Sequence, residues 1–331
     1  MIEPPRLHLA QLPTPLTKLE RFSQRFDGVN LWVKRDEMTG TEVSGNKIRK
    51  LEFSIAQAQA EACDTLITCG GLQSNHCRTT AILGARLGMK VYLILRGDKP
   101  GQAEGNLLMD YLCGAEIIYV AEQDYHSHGK IAQQLQLDLQ AAGHKSFFIP
   151  IGASDEIGVW GYITASAELK KDYAQHGFVP EYTVLATGSG GSQAGLIAGY
   201  ALHQIEGEIA AFNVCDDAQY FERKIRLDLK RWKRRYESDL DVASLQINTI
   251  EGYVGPGYAK ADKAVFDCIA ELASSEGIFL DPVYTGKAFH GLVSELKKGQ
   301  AGYFASAKNI VFIHTGGIFG VFPQQQGFKL G

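Results

Sequence analysis

The chain has 331 residues, of which 45% are hydrophobic and 21% charged, and 33 basic and 37 acidic side chains give it a formal net charge of −4. This composition is typical of a globular protein with a large core and excludes a disordered chain. A slightly acidic chain has no overall field that attracts nucleic acid or an anionic membrane, so neither is expected as a partner. The length predicts about two domains.

The N-terminal segment and the cysteines bear on location and metal content. The opening sequence MIEPPRLHLAQLPTPL has no apolar run long enough for a signal peptide, and no later segment is long and apolar enough to span a bilayer. The six cysteines are scattered without a C-x-x-C pair, which predicts reduced thiols rather than a disulfide framework or a metal site. We therefore expect a cytoplasmic protein without a bound metal.

Short apolar runs rich in β-branched residues alternate with helical patterns along the chain. Predicted strands cover residues 65–69, 91–95, 116–120, 146–150, 183–186, 209–214, 246–251 and 309–314. Predicted helices cover residues 75–87, 104–112, 129–142, a segment from about 156, residues 193–205 and a long charged segment before residue 246. This alternation predicts an α/β fold with twisted, parallel-rich sheets covered by helices on both faces. Ligands of such sheets bind beyond the carboxyl ends of the strands, so the residues that follow the strands are candidate site residues.

A glycine-rich segment, TGSGGSQAG at 187–195, follows the strand at 183–186 and precedes an apolar helix. It suits a phosphate, because glycines permit close backbone approach, hydroxyls donate hydrogen bonds, and the N–H groups at a helix start attract anions. Gln193 stands where the third glycine of the dinucleotide fingerprint belongs, and no Gly-Lys-Ser/Thr of a Walker loop follows. A simple tight turn would give the same pattern, so that alternative stays open.

Ser74, Asn75 and His76 follow the strand at 65–69, in the segment GGLQSNH. They fall at the predicted start of a helix, where a single Ser or Asn serves as an N-cap. Three polar residues in succession also suit a carboxylate site built from a hydroxyl, an amide, an imidazole and free helix N–H groups. The local pattern leaves both interpretations open.

Several other segments place polar or aromatic side chains beside glycines. EGYVGPGY ends at Tyr258, DPVYTGK contains Tyr284 and Thr285, and HTGG contains Thr315. Turn packing and helix caps would explain each of them. Lys47, in SGNKIRKLEF, is on its own consistent with the basic start of an amphipathic helix.

Taken together and in this order, SGNKIRKLEF, GGLQSNH, TGSGGSQAGL, GPGY, DPVYTGK and FIHTGG resemble the motifs of the D-cysteine desulfhydrase and 1-aminocyclopropane-1-carboxylate deaminase family. The resemblance covers almost the whole chain. It implies an enzyme that uses pyridoxal 5'-phosphate (PLP), acts on a small amino acid, has the tryptophan-synthase-β type of fold and forms a homodimer. We expect a large domain of residues 1–50 and 162–331, a small domain of residues 51–161, and the cofactor in the cleft between them.

The resemblance also implies roles for individual residues. Lys47 is implied to bond to the cofactor aldehyde and to remove the Cα proton of the substrate, and both tasks require a neutral amine. Lys50 is implied to reach the cofactor phosphate, where its charge would disfavour a second charge on Lys47. The implied phosphate loop consists of Thr187, Gly188, Ser189, Gly190, Gly191 and Ser192.

The polar helix start and the two tyrosines are implied to face the substrate. Asn75 would donate a hydrogen bond to the ring oxygen of the cofactor, and Ser74 would contact the substrate and relay a proton. The helix start that includes His76 would bind the substrate carboxylate. Tyr258 and Tyr284 correspond to two active-site tyrosines that orient the substrate or act as acids.

Thr285 and Thr315 are the remaining implied cofactor contacts. In the deaminase a glutamate occupies the position of Thr285 and keeps the pyridine nitrogen protonated, whereas a neutral hydroxyl is the desulfhydrase form. The hydroxyl suits a β-substituent that leaves as negative charge develops on Cα. The sequence departs from the family at Ser44, where glycine is usual, and at Ile318 and Phe319, which we expect to narrow or reshape the substrate pocket.

The predicted reaction is α,β-elimination on a small amino acid, with D-cysteine giving pyruvate, ammonia and hydrogen sulfide. A 1-aminocyclopropane-1-carboxylate deaminase and a cysteate sulfo-lyase are alternatives within the same chemistry. A catalytically silent PLP-binding protein and a dehydrogenase are alternatives of other classes. The intact set of Lys47, Ser74 and two tyrosines argues against the silent binder, and Gln193 argues against the dehydrogenase.

Overall fold

The computed structural model describes residues 1–329, which form ten strands and ten α-helices. The strands are β1 (Leu16–Lys18), β2 (Asn30–Lys34), β3 (Thr65–Gly71), β4 (Lys90–Arg96), β5 (Glu116–Val120), β6 (Ser146–Phe148), β7 (Tyr182–Thr187), β8 (Glu208–Asn213), β9 (Asn248–Ile250) and β10 (Asn309–Ile313). The helices are α1 (Glu20–Ser23), α2 (Lys47–Ala60), α3 (Asn75–Leu87), α4 (Gly105–Leu112), α5 (His128–Ala141), α6 (Trp160–His176), α7 (Gly191–His203), α8 (Ala218–Arg235), α9 (Lys263–Glu276) and α10 (Thr285–Lys297).

The larger sheet has, within residues 1–329, six strands in the order β1-β2-β10-β7-β8-β9. β1 runs antiparallel to β2, and the other neighbours are parallel. The central strands read as almost continuous apolar runs because both faces of the sheet are covered. Side chains of α6, α7 and α8, among them Leu196 and Phe221, form the core on one face. Side chains of α1, α9 and α10, among them Phe22 and Phe289, form the core on the other.

The smaller sheet has, in the same part of the chain, four parallel strands in the order β5-β4-β3-β6. Apolar side chains of α2, α3 and α4 fill one of its two core clusters, and α5 contributes to the other. The predicted α/β fold with parallel-rich sheets and helices on both faces is therefore confirmed. The predicted domain division stays a prediction, and its boundaries at 50/51 and 161/162 fall inside α2 and α6.

A side-chain cap and a glycine define where α3 and α7 begin, which are the two helix starts predicted to contribute to the site. The Ser74 hydroxyl accepts a hydrogen bond from the Cys77 amide at 3.2 Å, so Ser74 is the N-cap of α3. α7 begins after Gly190, whose φ of 83° lies in the left-handed region that favours glycine. Both helices therefore begin directly after a strand and direct free N–H groups toward the same edge of the fold.

A buried ion-pair network joins α2 to the larger sheet. The Arg49 guanidinium donates to both carboxylate oxygens of Asp36, at 2.7 and 3.0 Å, and to Glu168 at 3.0 and 3.1 Å. Thr14 and Tyr162 donate further hydrogen bonds to Asp36. Burial would raise the pKa of Glu168, but its hydrogen bonds and charge interaction with Arg49 outweigh burial and lower that pKa to about 2. The network fixes the helix that begins with Lys47.

Two kinds of feature are absent from residues 1–329. No helix there is long and apolar enough to cross a membrane. In the same residues, no group of three or more His, Cys, Asp or Glu side chains is arranged to hold a metal ion.

Candidate active site

A cavity of about 660 Å³ lies at the carboxyl ends of the strands of both sheets. It suits an amino acid with a bound cofactor, since sites of this kind usually lie in clefts of this size between sheets or domains. Its wall contains most of the site residues predicted from the sequence, namely Lys47, Ser74, Asn75, His76, Thr187, Gly188, Ser189, Gly190, Ser192, Tyr258, Tyr284 and Thr315.

Lys47 is the first residue of α2, and its partly exposed side chain lines the cavity. The preceding Asn46 is held by a hydrogen bond from its Nδ2 to Ser192 Oγ (2.9 Å) and by one from its amide to the Thr315 carbonyl (3.0 Å). Gly45 has a φ of 112°, and a Cβ there would collide with the Thr315 carbonyl oxygen, which explains the glycine of SGNK. Withdrawal of the Lys47 amine from bulk water lowers its pKa to about 8.

The loop between β7 and α7 forms one end of the cavity. The Thr187 hydroxyl is buried and has no hydrogen-bond partner among the described residues. A Cβ at Gly191 would collide with Lys50 Nζ and Ser154 Oγ, so only glycine lets the loop lie this close to them. An unpaired buried hydroxyl beside the start of α7 is the arrangement expected of an anion-binding loop.

Lys50 is fully buried beneath this loop. It is not one of the described residues that line the cavity. Its amine donates to the Gly152 carbonyl (2.5 Å) and to Ser154 Oγ (2.9 Å), and Ser154 in turn contacts Ser189 Oγ at 2.7 Å. Burial, followed by the charge of Lys47, lowers the pKa of Lys50. Lys224, which the sequence analysis missed, does line the cavity and donates to the Ser154 carbonyl at 2.9 Å. The predicted contact of Lys50 with a phosphate stays a prediction.

The helix start after β3 presents Asn75 with its orientation fixed. Asn75 Oδ1 accepts hydrogen bonds from Arg78 and from Asn106, each at 3.2 Å. Both lone pairs of the amide oxygen are thereby used, so the amide nitrogen is left to donate. The predicted hydrogen bond of Asn75 to a ring oxygen of the cofactor stays a prediction. Neither Arg78 nor Asn106 was predicted; Arg78 lies one turn along α3, and the contribution of Asn106 depends on α4 packing beside α3.

His76 is oriented differently from the prediction. Thr68 Oγ1 donates its proton to the Ile149 carbonyl at 2.8 Å, so it accepts from His76 Nε2, 2.7 Å away. The neutral ring then has a bare Nδ1, which is buried without a hydrogen-bond partner in the described residues. Burial first, and the charges of Lys47 and Lys50 next, lower the pKa of His76 well below its usual value. A neutral ring with this tautomer cannot donate to a carboxylate, so any carboxylate contact at this helix start rests on Ser74, Asn75 and the backbone.

Tyr258 and Tyr284 form a hydroxyl-to-hydroxyl hydrogen bond in the cavity wall, with ring centroids 6.0 Å apart. Burial raises the pKa of both, so both stay protonated near neutral pH. Two phenols carry two protons and share one hydrogen bond, which leaves one O–H group to donate to a ligand. Sequence reasoning named both residues but not their contact, which brings together a loop and the start of α10.

Two predicted positions differ from expectation in their surroundings. Thr285 is buried and lies, among the described residues, outside the cavity wall; its hydroxyl donates to Asp281 Oδ1 at 2.7 Å and accepts from the Asp281 amide at 2.9 Å. Ile318 and Phe319 are not part of the described cavity wall, so they do not narrow the pocket directly, and a reshaping of it stays a prediction. Phe319 instead packs against the Arg78 guanidinium, 4.9 Å from its ring centroid.

A family model described as "Pyridoxal-phosphate dependent enzyme" matches residues 7–316. The chain belongs to this pyridoxal-phosphate dependent enzyme family. Its cofactor is therefore PLP, and the family, the cofactor and the class of enzyme predicted from the motifs are confirmed.

Named relatives within this family are similar over nearly the whole chain. A "Bifunctional D-cysteine desulfhydrase/1-aminocyclopropane-1-carboxylate deaminase, mitochondrial" of Arabidopsis thaliana is 39% identical over 96% of this chain and 79% of its own. A "Putative 1-aminocyclopropane-1-carboxylate deaminase" of Thermotoga maritima is 39% identical over 97% of this chain and 99% of its own. The crystal structure of an "ACC deaminase homologue" superposes with a TM-score of 0.88 at 32% identity, covering 98% of this chain and 95% of that one. The homodimer implied by the resemblance and the cytoplasmic location expected from the N-terminal segment and the cysteines stay predictions.

The residues present fit PLP. The unpaired Thr187 hydroxyl and the start of α7 offer donors to a phosphate. A Cβ at Gly152 would lie 2.5 Å from Ser189 Oγ of this loop and 3.5 Å from Lys47 Nζ, so the lysine amine lies close to the loop. Asn75 offers the donor that a ring oxygen needs. Lys47 would hold the aldehyde carbon and the Thr187–Ser192 loop the phosphate, so the aldehyde and phosphate ends of one cofactor are both provided for.

The lowered pKa of Lys47 predicts how the cofactor-free enzyme takes up PLP. Only the neutral amine attacks an aldehyde, and the neutral fraction rises as the pH increases through about 8. The rate of covalent loading should therefore rise with pH up to that point and then level off, as followed by the visible absorbance of the lysine-bound cofactor. Lys47→Ala should show no covalent loading at any pH. A rate that falls as the pH rises from 7 to 8 would contradict the prediction.

Lys287 is a further residue that sequence reasoning missed. It is buried on α10, and its amine donates to the carbonyls of Val254 and Gly257, both at 2.7 Å, immediately before Tyr258. Lys287→Met should free this loop and lower kcat/KM by about 10- to 100-fold through misplacement of Tyr258, with PLP content unchanged. Lys287→Arg should recover part of the loss. Lys297→Met, on the exposed side of the same helix, is the control and should leave kcat/KM unchanged; an equal kcat/KM for both methionine variants would contradict the role.

Proposed function

We propose that this enzyme catalyses α,β-elimination on D-cysteine, giving pyruvate, ammonia and hydrogen sulfide. The observation that carries the proposal is that one cavity wall contains a lysine of lowered pKa, a helix start and a pair of protonated tyrosines. When bound, PLP supplies the electron sink that stabilises negative charge on Cα. The other requirements of the reaction are met by the side chains of this chain.

Lys47 acts as the base at Cα. Its lowered pKa, about 8, leaves a substantial neutral fraction near neutral pH, whereas an ordinary lysine is almost entirely charged there. The network of Arg49, Asp36 and Glu168 holds α2 and so fixes where the Lys47 side chain begins. This rigidity keeps the amine close to the atom whose proton it removes.

The start of α3 holds the substrate carboxylate. The backbone N–H groups of its first turn are free of helical partners, and Ser74 and Asn75 line the cavity beside them. Ser74 also accepts from the Cys77 amide, so its own proton is free to donate to the substrate. The neutral His76 adds no positive charge at this end of the cavity.

The tyrosine pair serves the leaving sulfur. As the Cβ–S bond breaks, negative charge develops on sulfur, and the spare O–H of the pair donates a proton to it. Water then replaces the amino group on the three-carbon product, so D-cysteine and one water yield pyruvate, ammonia and hydrogen sulfide. The preference for this reaction over ring opening rests on the resemblance, which implies a neutral hydroxyl at Thr285 where the deaminase has glutamate; the Thr285 hydroxyl itself donates to Asp281 outside the described cavity wall.

Deamination of 1-aminocyclopropane-1-carboxylate is the second candidate. It is favoured by the names of the relatives, since the Thermotoga protein is called a putative deaminase and the Arabidopsis protein bifunctional. The same lysine and tyrosines would serve this reaction. The two candidates differ in product, which is 2-oxobutyrate for the cyclopropane substrate and pyruvate for cysteine.

A substrate panel on the yellow holoenzyme tests the proposal. Both enantiomers of cysteine and of cysteate, together with 1-aminocyclopropane-1-carboxylate, are assayed for sulfide, sulfite, pyruvate and 2-oxobutyrate. We expect D-cysteine to give sulfide and pyruvate in equal amounts and with the highest kcat/KM. Turnover of another substrate without product from D-cysteine would overturn the proposal. A visible band that no amino acid perturbs would instead favour a catalytically silent PLP-binding protein.

A further inference from the structure

The Arg96 side chain lines the cavity, and neither the sequence analysis nor the proposed reaction gives it a role. It is the last residue of β4 and pairs in register with Gly71 on β3, so it lies beside the segment that leads to Ser74. Arg96 is half-buried, and within residues 1–329 its side chain makes no ion pair and no hydrogen bond. Its donors are therefore available to a ligand.

Two aromatic rings fix the orientation of this guanidinium. The Arg96 Cζ lies 4.9 Å from the Tyr258 ring centroid and 5.8 Å from that of Tyr125. Tyr125 is in turn anchored by a hydrogen bond from its hydroxyl to the Gly70 carbonyl at 3.2 Å. Contact with an aromatic ring attracts a guanidinium without removing its positive charge. The two rings thus hold Arg96 in place without neutralising it.

A charge inventory indicates an additional anion. Among the described residues of the cavity wall, Lys47, Arg96 and Lys224 are basic and Asp216 is the single carboxylate. Lys224 contacts Asp228 and lies beside the phosphate loop, and Lys47 is used by the cofactor aldehyde. The α-carboxylate of the substrate is assigned to the start of α3. Arg96 forms no ion pair with Asp216 or with any other described carboxylate, and it lies at the side of the cavity occupied by Tyr258.

We propose that Arg96 and Tyr258 form a subsite for a negatively charged β-substituent of the amino-acid substrate. The substrate class is then an alanine bearing an anionic group on Cβ, such as a thiolate, a sulfonate or a carboxylate. The planar fork of a guanidinium matches two oxygens of a sulfonate or carboxylate. This inference rests on the proposed elimination, because it assigns the side of the cavity that the leaving group occupies.

Unreactive ligands test the subsite apart from turnover. Aspartate carries a β-carboxylate and alanine carries no β-substituent, and neither has a β-group that leaves. Each enantiomer of both is titrated into the holoenzyme, with binding followed by calorimetry and by the visible absorbance of the cofactor. We expect aspartate of the accepted enantiomer to bind about tenfold or more tightly than alanine, as one charged hydrogen-bonded contact would give.

Variants then assign the preference to Arg96. Arg96→Gln should remove the advantage of aspartate while alanine affinity changes by no more than about twofold, and Arg96→Lys should keep part of the advantage as a point charge without the fork. Arg231→Gln, on the exposed side of α8, is the control and should bind both ligands as the unmodified enzyme does. Melting temperatures check that the variants fold.

Two results would overturn the subsite. One is equal affinity of the unmodified enzyme for aspartate and alanine. The other is an equal loss of both affinities in Arg96→Gln, which would place the α-carboxylate at Arg96 instead. Failure of D-cysteine turnover with the aspartate preference intact would count against the proposed function and leave the subsite standing.

Discussion

Lys47→Ala is expected to lower the kcat/KM of elimination by on the order of 10⁴-fold, because one side chain both holds the cofactor aldehyde and removes the Cα proton. The nearby amine of Lys50 cannot take over, since it donates to Gly152 and Ser154 beneath the phosphate loop. The measurements are the rate of pyruvate release and the site of attachment after borohydride reduction, located by peptide mapping.

The control for this prediction is Lys230→Ala, an exposed lysine on α8 that should leave both measurements unchanged. The Lys47→Ala protein should still bind PLP non-covalently, because the loop that begins at Thr187 is intact. A pyridoxyl group trapped on any other side chain of the unmodified enzyme would contradict the assignment of Lys47. So would a Lys47→Ala protein that keeps nearly full activity.

Arg49→Met is expected to have the largest effect on stability, a loss of about 3–5 kcal/mol in the free energy of unfolding. The substitution leaves the buried carboxylate of Asp36 without its cation and leaves Glu168 with Lys34 alone as a cationic partner. Urea denaturation of the cofactor-free protein measures the loss. Arg86→Met is the matched control, because Arg86 pairs with Glu42 at the surface and exposed ion pairs contribute little.

The same network predicts how stability changes with pH. The pKa of Glu168 is lowered from 4.5 to about 2 in the folded protein, so its contribution is fully present above pH 4.5 and is lost as the pH falls toward 2. This part of the acid sensitivity should be smaller in Arg49→Met, where Lys34 is the remaining cation that lowers the pKa of Glu168. An unfolding free energy no lower than that of Arg86→Met would show that the network does not stabilise the fold.

Much of the fold was predictable because buried parallel strands leave a strong signal. The apolar runs at 116–120 and 309–314 correspond to β5 and β10, and the predicted helix at 75–87 has the bounds of α3. The strand pair β1 and β2 was missed. β1 has only three residues, and β2 has two partly exposed residues among its five, so neither gives a continuous run of buried apolar residues. The helix predicted from about 156 begins at Trp160, since the Asp155 side chain holds the amides of Ile157 and Gly158 in a turn.

The site was predictable where one chain segment carries several of its residues, and not where distant segments meet. Lys47 and the loop that begins at Thr187 each lie within a recognisable motif, and the structure brings both to one cavity. Arg96, Lys224 and Lys287 each act through a contact across the fold, and a lone basic residue in a sequence resembles any surface cation. The tautomer of His76 likewise depends on its hydrogen bond with Thr68, and the sequence does not show that the two side chains are in contact.

The order of strands has a consequence for how the chain is made. The four strands of the smaller sheet lie between residues 65 and 148, whereas β10 lies between β2 and β7 and comes near the C-terminus. During synthesis the smaller sheet can therefore assemble early, while β2 and β7 wait with open edges until residues 309–313 emerge from the ribosome. The nascent chain should thus acquire its ability to take up PLP only after β10 has been synthesised.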